Sequence, residues 1–236
     1  MNPSSTIPEE TPVITCQNKM IEAIHQADRD AANIIIGEWA ADYGHEHFFT
    51  AVMEPVLRKL GDEWFSRESV TIAQVYVAAR IAEDVLNKIA CQIKNASETG
   101  TTKGPVVFGN IEDDFHSLGR KMVVTFLKIN GWEVIDLGND VTPAEFVDTA
   151  VKTGARVIGV SAMTMTTARN IRHLRDEIDS RGLKGKIQLA VGGAVFLVCP
   201  SLVAEVGGDG TATNAINAVP MIDRLWNQAV MESHVS

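Results

Sequence analysis

The chain has 236 residues, 45% of them hydrophobic and 22% charged, with 21 Lys+Arg against 30 Asp+Glu and a formal net charge of −9. This composition supports a packed core in one large domain or two modest ones and argues against disorder. The acidic excess, present both before and after residue 100, opposes nucleic-acid binding, which needs a basic footprint.

Residues 1–13 carry Pro, Ser, Thr and Glu with little to bury, and read as a mobile tail. They lack the basic segment and apolar core of a signal peptide. From there to residue 92 the apolar residues recur at helical spacing: Met20, Ile21 and Ile24; Ala31, Ile34, Ile35 and Trp39; Phe48, Val52, Val56, Leu57 and Leu60; then Val75, Ala79, Ala82, Leu86 and Ile89. The spacing predicts a four- or five-helix module over 14–92, punctuated at Gly44, Gly61 and Ser66–Ser69. Trp64 and Tyr76 are expected in its core. Residues 93–103 are polar and aperiodic, the natural linker.

Over 104–236 short β-rich runs alternate with helical stretches. Strands are expected at Val106–Phe108, Val134–Leu137, Val157–Ser161 and Ile187–Val191, with a short fifth near Gly208–Thr211. Thr142-Pro143-Ala144-Glu145 places an N-cap, an N1 proline and a capping-box glutamate in order. Gly131 and Gly182 stand where helices should stop. Nearly continuous apolar strands between helices mean a parallel sheet covered on both faces, an α/β, doubly wound, flavodoxin- or Rossmann-like domain. The apolar stretch Ile187 to Val206 is broken by Gly192-Gly193 and Pro200, so it does not read as a membrane span. Cys16, Cys91 and Cys199 are distant and odd in number, which disfavours a disulfide framework or zinc site and suits a reducing, cytoplasmic setting.

Ligands of such sheets bind beyond the carboxyl ends of the strands. After the first strand a dinucleotide site would need G-x-G-x-x-G, but the loop Gly109 to Gly119 offers Glu112-Asp113-Asp114, which repel phosphate. A phosphoacceptor receiver would need an aspartate ending the third strand and a lysine ending the fifth. The chain has Ser161 and no lysine near Gly208. What remains is Asp114-x-His116-x-x-Gly119. An imidazole ligates late first-row metals, and a carboxylate two residues away suits its other N–H. Asp114 equally suits a helix cap. A lone histidine holds a metal only if the metal brings its other ligands, as in a macrocycle.

At these residues the sequence resembles the cobalamin-binding domain shared by methionine synthase, mutases and methyltransferase corrinoid proteins. Asp114-x-His116-x-x-Gly119, Ser161-x-Met163 and Gly192-Gly193 match its D-x-H-x-x-G, S-x-L and G-G signatures. The runs Gly131 to Gly138 and Gly208-Asp209-Gly210 also look like the family. Leu60-Gly61-Asp62-Glu63-Trp64 resembles the helical cap found ahead of this domain in methyltransferase-type members. Ser117 stands where methyltransferase corrinoid proteins usually carry aspartate, Arg120 where they carry lysine, and Val75-Tyr76 where relatives carry a glutamate-histidine pair.

The resemblance implies a corrinoid cofactor, cobalamin, bound base-off. His116 would ligate cobalt with Asp114 behind it, and Phe115, Ser117, Leu118 and Gly119 would complete the loop. Ser161 would hydrogen-bond the benzimidazole beside Met163, a nearly volume-conserving replacement of leucine. Gly192 and Gly193 would leave a channel for the nucleotide tail, and Gly210 would lie on the same side. Trp64, Gln74 and Tyr76 of the cap would face the upper ligand. The implied function is a carrier that shuttles a methyl group on cobalt between methyltransferase partners, with a reductive activator as a further partner. No nucleophile–base pair is evident, so little turnover is expected from this chain alone. The competing reading is a cobalamin-dependent sensor without its DNA-binding domain. A mutase small subunit is weakened by the helical module. Arg169, Arg172 and Arg175 share a helix face and read as solvated charge.

Overall fold

The computed structural model describes residues 11–66, 70–96 and 103–235, and the chain divides into two compact units, Met1–Gln92 and Ile93–Ser236. Most of the expected tail, and the Arg67–Ser69 part of one expected break, lie outside the described residues.

The first unit is helical: α1 (Pro12–His25), α2 (Arg29–Phe48), a π-helical turn at Phe49–Met53, α3 (Glu54–Phe65) and α4 (Ile72–Ala96). Asp28 caps α2, its carboxylate accepting from the Ala31 N–H at 2.9 Å. Gly44, at φ 81°, kinks that helix before the π turn. Gly61, in contrast, lies inside α3 and breaks nothing. Met20, Ile24, Ile36, Phe48, Phe49, Val52 and Met53 are fully buried, as are Ala82 and Val85 of α4. Trp64 and Tyr76 are not core aromatics: they are 45% and 66% exposed. Helix α4 continues through Ala96, four residues into the stretch read as linker, and the rest of that stretch up to Thr102 is outside the described residues.

The second unit runs β1 (Lys103–Asn110), α5 (Ser117–Ile129), β2 (Trp132–Asp136), α6 (Pro143–Thr153), β3 (Val157–Ser161), α7 (Met165–Ser180), β4 (Gln188–Gly192), α8 (Ala194–Val198), α9 (Leu202–Glu205) and α10 (Ala215–Val235). All strand pairs are parallel, in the order β2-β1-β3-β4. Helices α5 and α10 pack together, as do α6 and α7, and the pairs sandwich the sheet. Phe146, Val147, Ile171, Leu174 and Ile178 from α6 and α7 are buried against Val107, Ile158 and Leu189 of the strands. Thr142 caps α6 ahead of Pro143, and Gly131 and Gly182 adopt positive φ just past α5 and α7.

The expected fifth strand is corrected to a single parallel bridge, Ala190 to Gly210, so the sheet has four strands among the described residues. Only two flanking hydrogen bonds accompany it, Asp209 N–H to the Leu189 carbonyl and Val191 N–H to the Gly210 carbonyl. Gly208-Asp209-Gly210 has no apolar side chain to cover a sheet face, and Asp209 instead turns inward to accept from Arg175 and the Leu189 N–H. The reading of the arginine face changes with it. Arg169 and Arg172 are exposed, but Arg175 is buried, paired with Asp179 and Asp209.

Candidate functional site

Sheet register brings three of the expected segments into one row. Asn110 pairs with Ser161, and Ser161 with Gly192, so the ends of β1, β3 and β4 stop at the same level. The loops carrying Asp114 and His116, Met163, and Gly193 therefore leave the sheet side by side.

Asp114 is fully buried. Its Oδ1 accepts from the Asn110 side-chain amide at 2.8 Å and from the His116 backbone N–H at 2.9 Å. Its Oδ2 accepts from the Met163 N–H at 2.7 Å and the Thr167 hydroxyl at 3.0 Å. Burial pushes this carboxyl up, but the four hydrogen bonds outweigh it and hold the group below the usual carboxylate range. The site thus contains a fixed negative charge.

The imidazole of His116 is 60% exposed, and its Nδ1 lies 3.5 Å from Asp114 Oδ1. Asp114 grips the histidine chiefly through its backbone, leaving the ring free to meet a ligand. Phe115 beside it is 65% exposed, and Met163 is 43% exposed. Ser117 and Leu118 open α5 immediately after His116, and Gly119 follows, where an added Cβ would meet no protein atom within 4 Å.

Gly192 and Gly193 differ sharply. A Cβ on Gly192 would point into open space, whereas one on Gly193, at φ 114°, would lie 1.9 Å from the Ala162 carbonyl oxygen. Only glycine fits the second position. Gly210 backs onto α10, where a Cβ would meet Arg224 and Met221.

The remaining expected residues lie in the helical unit. Thr71 and Gln74 form a reciprocal cap at the start of α4: Gln74 Oε1 accepts from the Thr71 N–H at 2.8 Å, and Gln74 N–H donates to the Thr71 hydroxyl at 3.3 Å. Gln74 Nε2 donates to the His25 carbonyl at 2.9 Å, so this amide is engaged at both ends. Trp64 and Tyr76 present exposed rings.

From the sequence Asn110 stands in the loop after the first strand without a role of its own, Thr167 is missed, and Arg120 is noticed only as a departure from a pattern. Arg120 is buried, pairs with Asp136 and donates from Nε to Asn110 Oδ1 at 2.7 Å. Among the described residues, no three His, Cys, Asp or Glu side chains gather as a metal-binding group.

Residues 104–219 match the B12 binding domain family. Over 177 residues the chain is 32% identical to trimethylamine corrinoid protein 2 of Methanosarcina acetivorans, covering 74% of this chain and 78% of that protein. The chain belongs to the corrinoid proteins. Its cofactor is accordingly a corrinoid. The monomethylamine corrinoid protein of Methanosarcina barkeri has a similar fold, with a TM-score of 0.74 at 22% identity over 88% of this chain and 96% of that one. A methanol:cobalamin methyltransferase complex from the same organism shares the fold more loosely, with a TM-score of 0.51 at 21% identity over 94% and 86% of the two chains.

The residues present fit a corrinoid on chemical grounds. A lone imidazole stands exposed above an anchored carboxylate, and Gly119 and Gly192 border space that a Cβ would enter. A metal held through His116 has to bring its other ligands with it, as a macrocycle does. Among the described residues no helix is long and apolar enough to cross a membrane.

Proposed function

We propose that this corrinoid protein is a methyl carrier that binds cobalamin base-off with His116 as the lower axial ligand. The corrinoid supplies, when bound, a cobalt centre able to accept and release a methyl group. Every other contribution belongs to the chain. Asp114 holds the His116 backbone and stands ready to accept the imidazole N–H, fixing the tautomer and raising ligand basicity. Ser161 binds the displaced benzimidazole, with Met163 packing beside it. Gly192 leaves a path for the nucleotide tail, while Gly193 is glycine because its backbone runs against the Ala162 carbonyl. In this reading the helical unit serves as a cap, with Trp64, Gln74 and Tyr76 as the residues that face the upper ligand.

The partners are a methyltransferase that loads the methyl group, a second that removes it, and a reductive activator. The names of the relatives favour a methylated amine as the source of the methyl group. The chain's own role is a non-catalytic subunit of that system.

One observation carries this reading: an exposed imidazole on a backbone clamped by a buried, four-fold hydrogen-bonded carboxylate. The test loads apo-protein with cobalamin and compares wild type with His116→Ala. A base-off, nitrogen-ligated spectrum in wild type only is the expected result. Identical spectra would remove His116 as the ligand.

A further inference from the structure

His116 is held through both of its backbone polar groups. Its N–H donates to Asp114 Oδ1 at 2.9 Å, and its carbonyl accepts from Asn110 Nδ2 at 3.1 Å. Asn110 Nδ2 also donates to Asp114 Oδ1 at 2.8 Å. One fully buried amide therefore touches the histidine and the carboxylate behind it. His116 sits at φ −85°, ψ 77°, between the loop and the first turn of α5.

An asparagine amide has two faces of nearly equal shape, and only one works here. Flipped, its oxygen would oppose the Asp114 carboxylate and the His116 carbonyl, three acceptors together. Arg120 prevents the flip. Its Nε donates to Asn110 Oδ1 at 2.7 Å, which compels the NH2 to point toward Asp114 and His116. Arg120 is itself pinned by Asp136 at the end of β2 and by Asn139. The contacts run unbroken from Asp136 through Arg120 and Asn110 to Asp114 and His116.

We propose that Asn110 and Arg120 are positioning residues for His116: Arg120 selects the orientation of the Asn110 amide, and Asn110 fixes where the imidazole stands and how strongly Asp114 polarises it. This inference rests on the reading of His116 as the axial ligand. It explains why a forked guanidinium stands at residue 120. Lysine presents a single nitrogen in place of the three that meet Asn110, Asp136 and Asn139 here, so it does not reproduce the fork.

The experiment uses the full chain in three forms: wild type, Arg120→Lys and Asn110→Leu. Each is loaded with cob(II)alamin, and the axial-nitrogen splitting is read by electron paramagnetic resonance with the cobalt midpoint potential. Backbone hydrogen exchange of His116 is followed in the apo forms, and urea unfolding reports folding. Wild type is expected to be nitrogen-ligated. Arg120→Lys should stay folded through its Asp136 pair, exchange the His116 amide faster, and raise the unligated fraction by about 10-fold, the lower end of what outer-shell changes cost. Asn110→Leu should do the same more strongly. If it fails to fold, Arg120→Lys alone decides. A nitrogen-ligated wild type with both the splitting and the potential unchanged in Arg120→Lys overturns the positioning role and leaves the carrier reading standing. Absence of axial nitrogen in wild type overturns the ligand reading, and this inference with it.

Discussion

The Met163 N–H donates a 2.7 Å hydrogen bond to Asp114 Oδ2, joining loops 49 residues apart. Thr167 reinforces it from the first turn of α7, at 3.0 Å to the same oxygen. Asp114 thereby ties the loop after β1 to the loop after β3. The first prediction follows from that role. Asp114→Asn keeps the shape, but in either orientation its NH2 faces a backbone N–H, that of Met163 or that of His116. Leaving buried donors unpaired is expected to cost about 2–4 kcal/mol of apo stability. Urea denaturation of the apo chain measures it, and unchanged stability would show that the carboxylate's bonds are made and lost without cost.

Three glycine variants separate packing from cofactor space. Gly193→Ala drives a Cβ into the Ala162 carbonyl at a positive φ, and should destabilise the apo chain by about 2–4 kcal/mol. Gly119→Ala lies in the first turn of α5 with open space beside it, and should stabilise the apo chain by about 0.5–1 kcal/mol. Gly192→Ala also meets no protein atom, so apo stability should hold. Both of the tolerated variants should nonetheless bind cobalamin more weakly, by equilibrium dialysis. Wild-type affinity in both would place the cofactor elsewhere.

The proposed cap makes a third prediction. Tyr76 is the more exposed of the two, so Tyr76→Ala should change stability by about 0.5 kcal/mol or less, while Trp64→Ala, which removes a half-buried indole, should cost about 1–2 kcal/mol. In the loaded full chain, each change should speed photolysis of bound methylcobalamin and oxidation of the reduced form, with the axial-nitrogen spectrum unaltered. Wild-type rates in both variants would mean these rings do not cover cobalt.

A fourth prediction concerns pH. His45 Nδ1 lies 3.3 Å from the side-chain amide of Gln92, and in the tautomer with an unprotonated Nδ1 it accepts from that amide. Burial, and then the nearby Lys88, hold this imidazole below its ordinary value. The unfolded chain therefore binds the proton more readily than the folded one. The contribution to stability is fully present above the unfolded value of about 6.5 and is lost as pH falls through the folded value. Unfolding of the helical unit, followed by circular dichroism between pH 7 and pH 5, should show this dependence, and His45→Gln should show less of it. Equal slopes would assign the acid sensitivity to other groups.

The four strands, their parallel sense and the loop ending in Gly119 were readable because apolar strand runs and glycine stops are local signals. So were Asp114, His116, Ser161, Gly192 and Gly193, which lie at strand ends in matched order. The role of Asn110 was not, because it closes a strand and its partner Arg120 lies ten residues on, across a turn. Thr167 reads locally as part of the Thr164 cap of α7, which it also is. Its bond to Asp114 needs the tertiary structure. The fifth strand, not formed among the described residues, has a weak signal in the sequence, four residues of which two are glycines. Trp64 and Tyr76 were misplaced because an aromatic at helical spacing reads as core whether its face is buried or exposed.

The level row of Asn110, Ser161 and Gly192 has a consequence for how the protein matures. Strands advance about 3.3 Å per residue and alternate faces, so a slip of one residue between β1 and β3 would carry Met163 and Thr167 away from Asp114 and lift Ser161 out of line. No partial version of the site exists in a sheet whose ladder has not closed. Newly made chains should therefore pass from incompetent to fully competent for loading in the same step that locks β1, β3 and β4 together. The appearance of bound corrinoid during refolding would then serve as a clock for sheet assembly.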